Sequence, residues 1–228
     1  MKHSGKARRA AWMIIFWTLV LLLAMIAGGI VAALVSSLIA AIATVLIVLW
    51  LVFALFTLYF FRDPNPRVPT IPNAIVAPAH GKVDAIDETT EPVFLGGSCQ
   101  RISIFLNVFN VHVQNAPVSG TVVYHKYTPG KFISATQAHS AEFNENVLIG
   151  FQVKDYPGEK IGLRLIAGMI ARRIVSWVNV GDVFERSDRI SLIRYGSRCD
   201  LYLPRSAKIH VKLGEKVKGG ETIVASFP

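Results

Sequence analysis

Cysteine is nearly absent from this 228-residue chain: Cys99 and Cys199 are the whole complement. Two isolated thiols make neither a disulfide framework nor the paired spacing of a zinc site, and in a reducing compartment both stay free. Cys199 is expected as a small strand-packing residue. Acidic residues are also sparse, 15 against 24 basic ones, for a formal net charge of +9. Such a charge suits an anionic partner. The chain has no nucleic-acid motif and no aromatic-basic ladder, which leaves anionic lipid headgroups as the simpler counterpart, at about 1 kcal/mol per basic residue near the surface. It also lacks a pyridoxal-phosphate pattern and any lysine in a cofactor-attachment motif.

Charge is missing altogether from residues 12–35 and 38–61, two apolar runs separated by Ser36-Ser37. About 20 apolar residues suffice to cross a bilayer as a helix, so each run is long enough. Both exceed the roughly 7–15 residues of a signal-peptide core. Residues 1–61 are therefore expected to form a membrane anchor, a hairpin of two transmembrane helices. Lys2, Lys6, Arg8 and Arg9 precede the first run, Arg62 and Arg67 follow the second, and the intervening turn is uncharged. The positive-inside rule then predicts an inner-membrane protein with both ends, and everything after residue 62, on the cytoplasmic face.

Residues 62–78 carry Pro64, Pro66, Pro69, Pro72 and Pro78 and read as an extended connector. Beyond it, short stretches rich in Val, Ile, Phe and Tyr predict strands at 82–86, 101–105, 120–127, 147–153, 161–166, 190–195, 200–203, 208–211 and 222–227. Residues 166–177 stay ambiguous, because Ile166, Ile170, Ile174 and Trp177 also fit a helical period. Residues 79–228 thus read as one mainly antiparallel β domain, and the whole chain as α+β.

Several motifs recur in order. Tyr59-Phe60-Phe61-Arg62-Asp63-Pro64 follows the apolar runs, then Ala77-Pro78-Ala79-His80-Gly81-Lys82-Val83, then Asn107-Val108-Phe109-Asn110-Val111-His112-Val113. Asn144-Glu145-Asn146 and Ile166-Ala167-Gly168 come next, before Tyr195-Gly196-Ser197 and the stretch 214–222. Each motif is weak alone, but together over residues 59–227 the chain resembles the short-form phosphatidylserine decarboxylase proenzymes. The last stretch resembles the closing hairpin of lipoyl-type, barrel-sandwich β domains.

That resemblance implies a lyase of phospholipid biosynthesis. It would be made as a zymogen and cut autocatalytically between Gly196 and Ser197 into a β chain, 1–196, and an α chain, 197–228, that stay associated. Ser197 would become a pyruvoyl group, the covalent cofactor. Decarboxylation leaves a carbanion that no ordinary side chain delocalises, so an electron-sink carbonyl is needed. Glycine at 196 leaves the attacked carbonyl uncovered and tolerates a strained turn. The resemblance makes His112 the catalytic base, assigns no metal, and leaves homo-oligomer formation open. Phosphatidylserine would be the substrate; an archaeal ether lipid with the same headgroup would undergo identical chemistry.

His80 departs from the pattern. The family carries an aspartate there, a possible orienting position for the base, and loss of such a carboxylate costs on the order of 10⁴ in rate in a Ser-His-Asp triad. Asp84, Asp87 and Glu145 are the alternative carboxylates; Asp84 lies about 13 Å along an extended strand from position 80, out of reach without a bulge. A second reading follows: an unprocessed relative that binds lipid surfaces. A third, an unrelated membrane-tethered β adaptor, requires the motif order to be coincidence. His125, His139 and His210 match no motif, and Arg172-Arg173 read as a solvated edge.

Overall fold

The computed structural model describes residues 5–33, 36–133, 143–168, 173–194 and 196–228. It divides into a helical unit, Gly5–Asp63, and a unit covering Pro64–Pro228. In the first, α1 spans Lys6–Ala33 and α2 spans Ser37–Phe60, and both are long and apolar enough to cross a membrane. α1 starts before the apolar run because residues 6–11 are all Lys, Arg and Ala, good helix formers with no Gly or Pro. Leu34 and Val35, the expected end of the first run, lie outside the described residues.

The helical unit is apolar on every side. Trp17 and Leu38 are each 68% exposed, a surface that suits hydrocarbon and not water. The hydroxyls of Thr18, Thr44 and Thr57 each donate to a carbonyl one turn back, at 2.8–2.9 Å, so none is left unsatisfied in an apolar solvent. Gly29 lets the two helices approach closely; a Cβ there would stand 3.0 Å from that of Ala43. Phe61 caps α2, and Pro64 prevents its continuation.

The second unit is β throughout. Its strands are β1 Ala74–Val76, β2 Gly81–Glu91, β3 Gly97–Leu106, β4 Val113–Asn115, β5 Gly120–Thr128, β6 Asn146–Val153 and β7 Lys160–Ala167. They continue with β8 Ile174–Ser176, β9 Val183–Phe184, β10 Arg189–Ile193, β11 Ser197–Leu203, β12 Lys208–Ile209, β13 Lys216–Val217 and β14 Ile223–Ser226. An eight-stranded sheet runs β13-β2-β3-β11-β7-β6-β5-β9, beside three-stranded sheets β1-β14-β12 and β4-β10-β8. Every strand pair in the three sheets is antiparallel. The expected α+β architecture, a helical hairpin followed by an antiparallel β domain, is the one observed.

Differences are local. Five strands of two or three residues (β1, β4, β8, β9 and β13) escape a period-based reading. The ambiguous stretch 166–177 contains the end of β7 and all of β8; Ile170 and Arg172 within it, like His139 and Tyr195, lie outside the described residues. The stretch 214–222 pairs outward: β13 joins β2, while β14 joins β1 and β12.

One face of the large sheet supplies the core, with Val83, Ile104, Leu165, Cys199 and Leu201 all fully buried. β11 lies in the middle of that sheet, with β3 on one side and β7 on the other. The Pro-rich segment is strapped to the domain by Arg186, which donates to the carbonyls of Pro69, Ile71 and Ala74 at 2.7, 2.7 and 2.8 Å.

Candidate active site

Ser197 opens β11 at the end of the sheet where it pairs with Leu106 of β3 and Ala167 of β7. The residue before it, Gly196, has φ +78°, in the left-handed region that side chains resist. The turn thus needs glycine, while the strand that follows is held rigidly on both sides.

His112 reaches the same place from the loop after β3. Asn107 and Asn110 shape that loop: Asn110 Oδ1 accepts from the Asn107 amide and Asn107 Oδ1 from the Phe109 amide, both at 2.9 Å. The His112 carbonyl accepts from the Ile193 amide at 3.2 Å and from Gln114 Nε2 at 2.7 Å. Ser191 Oγ donates to Gln114 Oε1 at 2.8 Å and steadies that amide in turn. The imidazole is fully buried. Its Nε2 accepts the Gly196 amide N–H at 3.1 Å, and its Nδ1 lies 2.9 Å from the Asn110 carbonyl. Those partners fix the neutral tautomer, with the proton on Nδ1 and a lone pair on Nε2.

The Gly196 carbonyl is gripped as well. The Gly168 amide donates to it at 3.2 Å, a backbone donor aimed at the oxygen where negative charge would develop if the carbonyl were attacked. The position of Gly168 depends on Asn144, whose Nδ2 donates to the Ala167 carbonyl at 2.7 Å and to the Ile133 carbonyl at 2.8 Å. Glu145 Oε1 accepts the Ile174 amide at 3.1 Å. The Asn144-Glu145-Asn146 motif therefore acts as a brace beside the Gly196–Ser197 peptide. Sequence reasoning gave Gly168 and Asn144 no role, since both act through pairings distant in the chain.

Ser197 Oγ is buried and makes no hydrogen bond among the described residues. An unmet hydroxyl in the interior costs about 1–3 kcal/mol and calls for an explanation. The structure thus brings His112, Gly196 and Ser197 together, with His112 Nε2 on the Gly196 amide and not on the Ser197 hydroxyl.

The carboxylates considered as replacements at position 80 are engaged elsewhere. A bulge does occur at Asp84, between Val83 and Ala85, but it directs Asp84 to Arg198 at 3.2 Å. Asp87 accepts from Arg101 Nε at 2.9 Å. His80 is half-buried beside Asn115 and Gly219. Cys199 is packed in the core, and burial, with the charge of Asp200, pushes its thiol well above the ordinary range. That thiol is no nucleophile.

Residues 53–225 match the family model described as phosphatidylserine decarboxylase. The chain is 46% identical over 183 residues to the phosphatidylserine decarboxylase proenzyme of Desulfotalea psychrophila, covering 80% of this chain and 85% of that one. With the protein of the same description from Syntrophus aciditrophicus it shares 46% over 180 residues, 79% and 84% of the two chains. For that of Symbiobacterium thermophilum the identity is 40% over 175 residues, 77% and 80%.

Proposed function

Because the chain belongs to the phosphatidylserine decarboxylase family, we propose that it converts phosphatidylserine to phosphatidylethanolamine and CO2 with a pyruvoyl group made from its own Ser197. The observation that carries this reading is the state of the Gly196-Ser197 peptide. The Gly196 N–H, one peptide earlier, is held by His112, the Gly196 carbonyl by the Gly168 amide, and the Ser197 hydroxyl is buried and unbonded among the described residues.

The residues support a balanced self-cleavage. Ser197 Oγ forms a bond to the Gly196 carbonyl carbon, and its proton passes to His112 Nε2 once the Gly196 N–H yields that lone pair. Gly168 N–H stabilises the oxyanion. Collapse breaks the Gly196–Ser197 C–N bond, the nitrogen takes the proton, and an ester remains. Loss of the Ser197 Cα proton then expels Gly196 as a free carboxylate and leaves dehydroalanine. Water adds to this and ammonia departs. The resulting ketone supplies an electron sink for the carbanion left when CO2 is lost.

His112, dry and fixed in one tautomer, holds a lone pair beside that position and acts as the proton-transfer group. The hairpin of α1 and α2 crosses the membrane with both ends cytoplasmic, in line with the flanking lysines and arginines.

Intact-mass analysis of the full chain tests the reading. Two polypeptides, 1–196 and 197–228, are expected, the second lacking a free amino terminus. Ser197→Ala is expected to give one uncut chain with no decarboxylase activity. A wild-type chain that stays whole on prolonged incubation would instead fit the lipid-binding alternative raised by His80.

A further inference from the structure

Ser197 marks one end of the large sheet, and the register shows what else lies there. Following the pairing outward from Arg198, the neighbours are Phe105 on one side and Ile166, Asn146 and Thr128 on the other. The loop after β3, the end of β5 and the entry to β6 therefore all emerge at the end occupied by the scissile peptide. These segments hold Phe109, Tyr127, Phe143 and Phe132, which are 62%, 52%, 51% and 37% exposed. They are the exposed aromatic residues of the β domain among those described; the other large exposed side chains there are aliphatic.

Charge beside these rings has one sign; the Lys218–Glu221 pair lies apart from them, beyond β13 at the far edge of the same end. Lys126, Lys131 and Arg173 are exposed and Arg194 is half-buried, whereas the acid among them, Glu145, is buried on the Ile174 amide. The opposite end of the sheet is mixed, with ion pairs Lys154–Glu185 and Arg205–Glu88. Aromatic side chains among basic ones suit the headgroup layer of a bilayer, where rings settle at the interface and cations meet anionic lipid.

We propose that the Ser197 end of the sheet docks on an anionic bilayer through Phe109, Tyr127, Phe132 and Phe143, so that a lipid headgroup reaches the site without leaving the membrane. This deepens the decarboxylase reading and rests on it for the identity of the substrate. It also gives the rim a role separate from the tethering supplied by the helical anchor.

Nitroxide labels at Phe132→Cys and Phe143→Cys, with Val93→Cys in the turn at the far end as the reference, test this in the full chain. The protein is reconstituted in bilayers containing phosphatidylglycerol, and Cys99 and Cys199 are buried away from the reagent. The expected result is that labels at 132 and 143 collide with oxygen and are shielded from a water-soluble nickel chelate, while the label at 93 is the reverse. Equal nickel access at all three positions would overturn the proposal. So would shielding from both reagents, which denotes a protein contact.

The labels report in uncut Ser197→Ala as well, so this outcome is independent of the decarboxylase assignment. In processed protein, Phe132→Ser with Phe143→Ser should lower turnover of bilayer phosphatidylserine about tenfold or more. Turnover of a monomeric short-chain analogue should be unchanged. Equal loss on both substrates would also count against docking, and no turnover of either by the parent enzyme would refute the function and leave the label result standing.

Discussion

Arg198 follows Ser197 directly, and its guanidinium is buried between two carboxylates that differ in kind. Asp200 is fully buried and accepts from Arg198 Nε at 2.8 Å; Asp84, at 3.2 Å, keeps a side chain 26% exposed. Burial raises the Asp84 carboxyl above its usual range, and the attraction of Arg198 offsets this only in part. Charge on Asp84 thus contributes little to the fold. Asp84→Asn is expected to cost less than about 1 kcal/mol, as for a partly solvated pair. Asp200→Asn leaves Arg198 buried without its closer partner and should cost roughly 3–5 kcal/mol. Melting curves of the two variants in the uncut Ser197→Ala background check the ranking; a larger loss from Asp84→Asn would contradict it. Whichever carboxylate dominates, the pair fixes the start of β11 and keeps the atoms next to the Gly196–Ser197 bond in register, as the proposed self-cleavage requires.

At the scale of elements, the Pro-rich segment shows how a run without regular structure is held. Proline removes backbone donors, so carbonyls are what such a segment has to offer, and Arg186 collects those of Pro69, Ile71 and Ala74. Arg189 adds Asn65 Oδ1 at 2.8 Å. Lysine at 186 offers a point charge in place of a planar fork and cannot span these acceptors. Arg186→Lys is expected to speed proteolytic cutting within residues 65–73 roughly tenfold, the effect of losing about one charged hydrogen bond from local closure. An unchanged cutting rate would show that the strap is dispensable.

The same elements show where the sequence is legible. Long strands such as β3, β6 and β7 declare themselves because each buries one face or both in apolar residues. β4 and β8 do not, since three residues carry no period and exist only because β10 runs between them. Motif order in the sequence put His112, Gly196 and Ser197 on one list, and the fold gathers them at one sheet end. The bulge at Asp84 is not legible, because a register shift inside a hairpin leaves no mark on the apolar pattern; nor is the grip of Gly168 on Gly196, which joins residues far apart in the chain.

For the whole molecule, the position of the proposed cut has a consequence for folding. Residues 197–228 supply the middle strand of the large sheet and also β12, β13 and β14, which join β14 to β1 and β13 to β2. The two products are therefore interleaved through two sheets and should co-purify without any covalent link. Assembly differs before and after the cut. In the uncut chain, closing β11 between β3 and β7 costs only loop entropy, which grows slowly with length. In the cut protein the same step is an encounter between two molecules, so it slows with dilution while exposed strand edges of the larger piece favour aggregation. Processed protein unfolded in denaturant and detergent should then regain native fluorescence with a yield that falls on dilution. Uncut Ser197→Ala should refold with a yield that does not depend on dilution in this way. Equal, concentration-independent recovery of both would mean that residues 1–196 hold the sheet together without β11, and that the central strand is an addition to the fold instead of its keystone.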